Sequence, residues 1–490
     1  MKCVCEVTRR WNQGRFCVVV LPWLAIGFAI VQLPSWLAAQ QTARPASGQQ
    51  PASVNQQQPG AGPQIETGTT SGLSTEARLQ SLLADHEYSS IEAQLGQLAP
   101  DRAEFYRGIL ANRSNQLDES IKLLEPLLDA ITKSRDVAQE KELRTALAED
   151  YLRLGEWKKA ADAYQTLESR MKDKLTEDER DDIEMPLKLL PLATGDPAPT
   201  IDPCDPFEVQ VSNDPLGLMD VPVFVDARSR HWMLDPTLPF NLISRSTARE
   251  VGLKLSSASA TISTLTGRPI AMHAAVIPRL TIGGRLTVRN MIAFVFDDKD
   301  YSFPKTGYQV EGVLGYPALA AMGSLTVTSD ETILVRPAKQ IAPPAKDDLL
   351  TTGAHFYLDG DQVIVGLGKT ENAPSNSGEE RMYGVDAGGQ QTYLTSRYFD
   401  EHAVDFNNQK MEMYSFLGAQ SAQRPAYVAQ DVPLLVGSTK ITLHFIRVLT
   451  APLGSTALDD VYGVLGADAL GQLKSYTFDY RTMQFAVTTE

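Results

Sequence analysis

The chain has 490 residues, 43% hydrophobic and 21% charged, with a formal net charge of −15. That length is too great for one compact core and sets an expectation of roughly two to four domains. The composition is ordinary for a soluble globular protein, and the acidic balance argues against a nucleic-acid or anionic-membrane partner, because binding phosphate groups needs a positive field.

At the N-terminus, Arg9, Arg10 and Arg15 precede the apolar run Phe16 to Val31, and Leu37-Ala38-Ala39 follows with small residues. The pattern predicts a signal peptide over 1–39, cleaved near Ala39, and hence an exported protein, periplasmic or secreted. The rival is an uncleaved segment that tethers the chain to a membrane, since the apolar run is only a little short of a span. Cys3, Cys5 and Cys17 lie in this segment, so Cys204 stands alone in the mature chain and no internal disulfide forms. Residues 40–73, rich in Gln, Pro, Ala, Ser and Gly, read as a disordered linker.

Residues 74–192 carry apolar positions at helical spacing with charged outer faces, which predicts an α-helical module with Ser74 as its first N-cap. The sharpest stretch is Leu147-Ala148, Tyr151, Gly155, Trp157, Ala160, Tyr164 and Leu167. Large residues flank a tight glycine turn, and small alanines stand where two helices cross, the plan of a helix-turn-helix repeat. This stretch resembles a tetratricopeptide repeat. Phe105 to Leu128 resembles a second copy, with Gly108 near one small position and Ser120 where alanine is usual. An unrelated helical bundle is the alternative. Residues 193–206 follow as a linker rich in Pro and Asp.

From 207 the pattern changes to alternating, strand-like runs broken by turns, among them Val221-Pro-Val-Phe-Val225 and Met291-Ile-Ala-Phe-Val-Phe296. A second Pro-rich linker, 338–352, separates the segment 207–337 from 353–490, where runs such as Gln362-Val-Ile-Val365 and Ser475-Tyr-Thr-Phe478 resume. The two segments match at a fixed offset. Trp232-Met-Leu-Asp235 ends one run and Gly312-Val-Leu-Gly315 follows it; Tyr383-Gly-Val-Asp386 and Gly463-Val-Leu-Gly466 repeat the arrangement. The offset is 386 − 235 = 151 for the aspartates and 466 − 315 = 151 for the last glycines, and Leu242-Ile243-Ser244 lies over Tyr393-Leu394-Thr395 at the same distance. Each copy reads as a mostly-β lobe of about 130 residues, an ordinary domain size.

The stretch from Met233 through Asp235-Pro236-Thr237 to Ile243-Ser244, with Ala248 and Gly252-Leu253 beyond it, resembles the active strand, loop and short helix of retropepsin-like aspartic peptidases. Val385-Asp386-Ala387-Gly388-Gly389 resembles the same turn in a second copy. Two copies in one chain resemble the bilobal arrangement of pepsin, over about Phe207 to Glu490. The implied fold is multidomain: a tetratricopeptide-like α-helical module followed by a mostly-β bilobal aspartic-peptidase-like domain. The resemblance further implies an endopeptidase dyad of Asp235 and Asp386, with flap hairpins near Thr264 to Ile270 and Tyr414 to Gly418. Two adjacent carboxylates cannot both ionise and so share a proton. One then acts as base toward a water and the other as acid toward the carbonyl oxygen, without metal or cofactor.

The active-site turns depart from this pattern. In the family a Thr or Ser follows each aspartate and grips the opposite lobe through its hydroxyl, whereas Pro236 and Ala387 stand here. Proline offers neither a hydroxyl nor a backbone donor. The next position, glycine in the family, is Thr237 in one copy and Gly388 in the other. Losing both grips should impair catalysis, which depends on sub-ångström positioning. The leading expectation is a binding protein whose aspartates are vestigial, holding a peptide or protein partner. An active aspartic endopeptidase and a scaffold in which only the helical repeats bind are the alternatives. Whether the half-sites face each other or sit on independent lobes stays open, as does the oligomeric state.

Other chemistry finds little support. Gly366-Leu-Gly368-Lys369-Thr370 lacks the leading glycine of a phosphate loop, Val363 standing there. The six histidines are scattered without zinc-binding spacing, so no metal site and no cofactor are expected.

Overall fold

Helical periodicity in the N-terminal part becomes a succession of short helices: α1 (Thr75–Ala84), α2 (Tyr88–Glu92), α3 (Pro100–Arg113), α4 (Leu117–Leu124), α5 (Leu128–Ser134), α6 (Val137–Arg153), α7 (Trp157–Met171) and α8 (Glu177–Leu189). The computed structural model describes residues 74–489 except 216, 226, 236–237, 264–268, 304–306, 340–352, 361, 370–379, 387–390, 416–422 and 453–459. The expected signal peptide 1–39, the linker 40–73 and nearly all of the linker 338–352 lie outside the described residues.

Local chemistry explains the helix ends. Ser74 caps α1 by accepting from Ala77 N, and Thr176 with Glu179 forms a reciprocal capping box on α8. Gly155 takes φ +73° in the turn between α6 and α7, a left-handed conformation that glycine adopts without steric cost. Leu147, Ala148, Tyr151, Trp157, Ala160, Tyr164 and Leu167 share one buried cluster across that turn.

Ser120 is fully buried and donates to Asp150 Oδ2 at 2.6 Å, while Asn112 Nδ2 donates to Oδ1 at 2.8 Å. Burial outweighs both bonds and pushes the Asp150 carboxyl up to about 7. In the unfolded chain the same group titrates near its ordinary value of about 4. The folded state thus holds the proton more tightly. Its contribution is greatest below the ordinary value and is lost as pH rises through about 7. Asp150→Asn keeps the shape and removes the titration. On moving from pH 5 to pH 8 it should therefore gain about 2 kcal/mol over wild type in urea unfolding; parallel pH profiles would refute the assignment.

The β-rich region opens with β1 (Thr200–Ile201), β2 (Phe207–Gln210), β3 (Ser212–Asn213), β4 (Met219–Val225), β5 (Arg228–Leu234), β6 (Asn241–Ser244) and helix α9 (Arg245–Glu250). It continues with β7 (Ala260–Ser263), β8 (Pro269–Ile282), β9 (Leu286–Phe296), β10 (Ser302–Phe303), β11 (Tyr308–Gln309), β12 (Gly312–Leu314), α10 (Tyr316–Met322), β13 (Ser324–Thr328) and β14 (Thr332–Arg336). The later part holds β15 (Ala354–Asp359), β16 (Gln362–Lys369), β17 (Glu380–Asp386), β18 (Tyr393–Leu394), α11 (Ser396–His402) and β19 (Glu412–Ser415). It closes with β20 (Gln423–Val436), β21 (Thr439–Leu449), β22 (Gly463–Gly466), α12 (Ala467–Leu470), β23 (Ser475–Asp479) and β24 (Gln484–Thr488).

In the earlier part the pairings run β9-β6-β12-β5-β4-β8 and close where β8 meets β9. In the later part they run β21-β18-β22-β17-β16-β20 and close where β20 meets β21. Both closed sets have one strand, β12 or β22, parallel to its neighbour β5 or β17 and antiparallel to β6 or β18. Buried apolar side chains of both sets pack in one cluster, among them Val221, Val223, Ile277 and Val288 from the earlier part and Val363, Val365, Leu443 and Val448 from the later part. A further run, β15-β24-β23-β13-β14-β2, combines strands from both parts and continues the later set's sheet through β16. Because β16 is a ladder strand, Gly366 to Lys369 form no phosphate-binding turn.

One boundary differs from expectation. Thr200–Ile201, inside the expected linker 193–206, pairs with β9, and Arg289 clasps Asp202 through Nε at 2.8 Å and Nη2 at 2.7 Å. The edge of β9 supplies the hydrogen bonds, which no local pattern announces.

The helical and β-rich regions belong to one compact unit. Helix α8 packs on β7 and β8, and Tyr316 donates to Asn115 Oδ1 at 2.9 Å. Toward the later β part, Arg113 meets Asp359 at 3.0 Å, Tyr88 donates to Asp359 at 2.7 Å, and Arg397 meets Asp85 at 2.6 Å. The helices thus touch both β sets.

Candidate functional site

Asp235 follows directly on β5, and Asp386 is the last residue of β17. The backbone N–H of Asp235 donates to Leu314 O at 3.0 Å, and Asp386 lies in register with Gly466. Each aspartate therefore leaves its strand beside a Gly-Val-Leu-Gly strand running parallel to it. Both carboxylate-bearing residues are half-buried.

The loop after each aspartate is tied to that strand's last glycine. Gly315 N donates to Asn241 Oδ1 at 3.0 Å, and Tyr316 N donates to Leu238 O at 2.8 Å. Gly466 N donates to Thr392 Oγ1 at 2.8 Å, and that threonine is held in turn by Asp468. A β-carbon on Gly315 would lie 2.1 Å from Phe240 O, and one on Gly466 would lie 2.7 Å from Gln391 C, so only glycine lets the loop approach so closely. Asn241 and Thr392 are buried, and they too stand 392 − 241 = 151 residues apart. Inspection of the aspartates alone misses them, although the same offset would have found them.

The field of Asp235 reaches two phenols. Burial raises Tyr301, and the neighbouring charges of Asp235 and Asp300 add to it. Burial also holds Tyr480 far above the ordinary phenol range, with Tyr316 and Asp235 contributing. Tyr480 lies just beyond β23 in the later part, and its N–H donates to Gly323 O in the earlier part at 2.8 Å. On the same sheet Asp220, opposite Met233 in the ladder, is pushed up to about 6 by burial and by the charge of Asp214.

Pro236, Thr237, Ala387 and Gly388 lie outside the described residues, as do the tips of both expected flaps, 264–268 and 416–418. The flanks of those tips pair as hairpins: Ser263 opposite Pro269, and Ser415 opposite Gln423. Among the described residues, no group of three His, Cys, Asp or Glu side chains is placed to hold a metal ion.

An N-terminal helical region followed by a β-rich region is the class these features define, and part of the β-rich region is similar to aspartic proteases. Residues 221–318 match the family model described as aspartyl protease. That span takes in Asp235, Asn241 and Gly315. Among solved structures, a retropepsin-like aspartic protease from Rickettsia conorii is similar at 17% identity, covering 26% of this chain and 98% of that chain with a TM-score of 0.21. No curated protein matches the chain.

Proposed function

We propose that the β-rich region comprises two diverged copies of one aspartic-peptidase-like lobe. The cleft between them binds an extended peptide or protein segment, and Asp235 and Asp386 face each other there as a catalytically impaired dyad. The observation that carries this reading is the seam between the two sets. Strands β13 and β23 pair antiparallel with Thr326 opposite Thr477, their hydroxyls 2.8 Å apart. These threonines are also 477 − 326 = 151 residues apart. Ser324 faces Asp479 and Thr328 faces Ser475, so the ladder maps onto itself when the copies are exchanged. A two-fold axis through that pair would relate the two aspartate-bearing strands.

Impairment is argued from the residues after each aspartate. Pro236 and Ala387 have no hydroxyl to steady the opposite carboxylate. The hairpins β7–β8 and β19–β20 support a peptide cleft, since hairpin edges offer main-chain hydrogen bonds to an extended ligand. The helical region acts as a short tetratricopeptide-like module beside the cleft; the Gly155 turn and the buried set from Leu147 to Leu167 support this. The arginines and apolar run of the N-terminus support export.

Retention of an aspartate in both copies favours the second reading, an active endopeptidase. The test is a diverse peptide library offered to the mature chain between pH 3 and 7, beside Asp235→Asn/Asp386→Asn. Binding without cleavage is the expected result. Cleavage that disappears in the double variant would make the protein a peptidase. Neither binding nor cleavage by folded protein would leave only the scaffold reading.

A further inference from the structure

Strand alternation divides the side chains around each aspartate between two faces. In the earlier set Ile243 and Leu314 belong to the buried cluster that both β sets share. Leu242 and Val313, one residue before each, belong instead to a buried cluster formed with the helices, whose Tyr164, Ile183 and Leu189 lie in it. The later set repeats the division. Leu394 and Leu465 join the shared cluster, whereas Tyr393 and Val464 join another with Tyr88 of α2. The offsets are again 393 − 242 = 151 and 464 − 313 = 151.

The same alternation decides where the aspartates open. Leu234 packs against the shared cluster, and Asp235 comes next, its N–H still in the ladder to Leu314 O. Val385 lies in the shared cluster, and Asp386 comes next, in register with Gly466. Both aspartates therefore leave on the opposite face, that of Leu242 and Val313 and of Tyr393 and Val464. The helices cover this face on both sets. Helix α8 packs on β7 and β8, and Ile270 and Met272 of β8 are buried in the helical cluster. On the later set, Leu83 of α1 and Leu110 of α3 pack beside Tyr88, whose ring lies 4.5 Å from that of Tyr357.

We propose that the helical region is an inhibitory occupant built into the chain: it covers the face on which the aspartates open, and an extended peptide binds there only when the helices lift off the later set. The inference rests on that face being the peptide cleft of the proposed function. One apolar surface cannot pack helices and a peptide at once, so the two compete. The helices share a continuous apolar core with the earlier set. They meet the later one largely through polar contacts, Arg113 and Tyr88 with Asp359 and Arg397 with Asp85, which water can replace. Opening is therefore assigned to the later side. The observed affinity is then the intrinsic one scaled by the open fraction.

The test locks and loosens that side in the mature chain, with a pool of capped decapeptides rich in Leu and Phe as the probe. Asp85→Cys and Arg397→Cys replace a partly exposed ion pair 2.6 Å apart and are joined by a reducible bis-maleimide, with Cys204→Ser to prevent side reaction. Linking should weaken binding by about tenfold or more, and reduction should restore it. Tyr88→Ala, which removes the ring from Tyr357 and the bond to Asp359, should bind about tenfold more tightly than wild type. If Tyr88→Ala does not fold, the linked and reduced pair decides alone. Equal binding by linked and reduced protein would overturn the occlusion and leave the cleft reading standing, as would a folded Tyr88→Ala that binds no more tightly. No binding by wild type, reduced protein or folded Tyr88→Ala would overturn both.

Discussion

Replacing Arg113 by alanine is expected to lower stability by about 3–5 kcal/mol, the cost of stranding buried charges. Arg113 is 3% exposed and lies within 3.1 Å of three carboxylates, Glu142, Glu149 and Asp359. Burial acts to lower its pKa, but those three carboxylates raise it well above the usual range. Burial would likewise raise Asp359, yet Arg113 beside it, with bonds from His86 and Tyr88, holds that carboxyl well below the usual range. A depressed carboxylate contributes stability that is present above its unfolded pKa of about 4 and lost as pH falls through the native value. Wild type should therefore lose more stability than Arg113→Ala as pH falls below about 4, and the gap between them should narrow in acid. Urea unfolding at pH 7 and pH 3 reads both effects. Asp359→Asn combined with Arg113→Ala should recover only part of the loss, because Glu142 and Glu149 stay uncompensated. A single-variant loss below about 1 kcal/mol would mean that the cluster behaves as a solvated surface pair.

Gly315→Ala should cost about 3 kcal/mol or more, at the upper end of overpacking effects. The added methyl would sit 2.1 Å from Phe240 O and 2.7 Å from Leu238 O, both backbone atoms of the loop after Asp235. Backbone cannot rotate aside as a side chain can, so either the loop moves or the strand does. The bonds from Gly315 N to Asn241 and from Tyr316 N to Leu238 would be strained together. Gly466→Ala should behave alike, since its methyl meets Gln391 C at 2.7 Å and Gln391 N at 2.9 Å. Gly96→Ala, with nothing within 4 Å of the added carbon, is the control and should stay within about 0.5 kcal/mol of wild type. Thermal unfolding of the three variants provides the comparison. A Gly315→Ala protein as stable as the control would show that the loop is not tied to this strand.

Much of the β region was legible because its information is local. Val221 to Val225 and Met291 to Phe296 alternate or run apolar as strands do, and they lie in β4 and β9. The aspartates could be placed at strand ends from the apolar runs before them, and the resemblance marked both Gly-Val-Leu-Gly runs, which lie in β12 and β22. The helical stretch around Gly155 was equally plain, because a glycine between large residues marks a tight turn. Thr200–Ile201 was not legible as a strand: two residues carry no period, and their partner lies almost ninety positions away, at Val288 and Arg289. Ser120 was noted only as an odd residue for a repeat, whereas its hydroxyl holds a buried Asp150 on another helix.

The amino-acid order thus fixes what is built from neighbours: helical and strand periods, caps, turns, and two aspartates in matching surroundings. Folding alone assigns the relations between distant residues. These include the Thr326–Thr477 seam, the glycine ties to Asn241 and Thr392, and the Arg113–Asp359 cluster that fastens helices to strands. A charge or hydroxyl in a sequence has no partner until the chain closes on itself. Only then do desolvation and distance decide whether it is a surface ornament, a buried brace or part of a site.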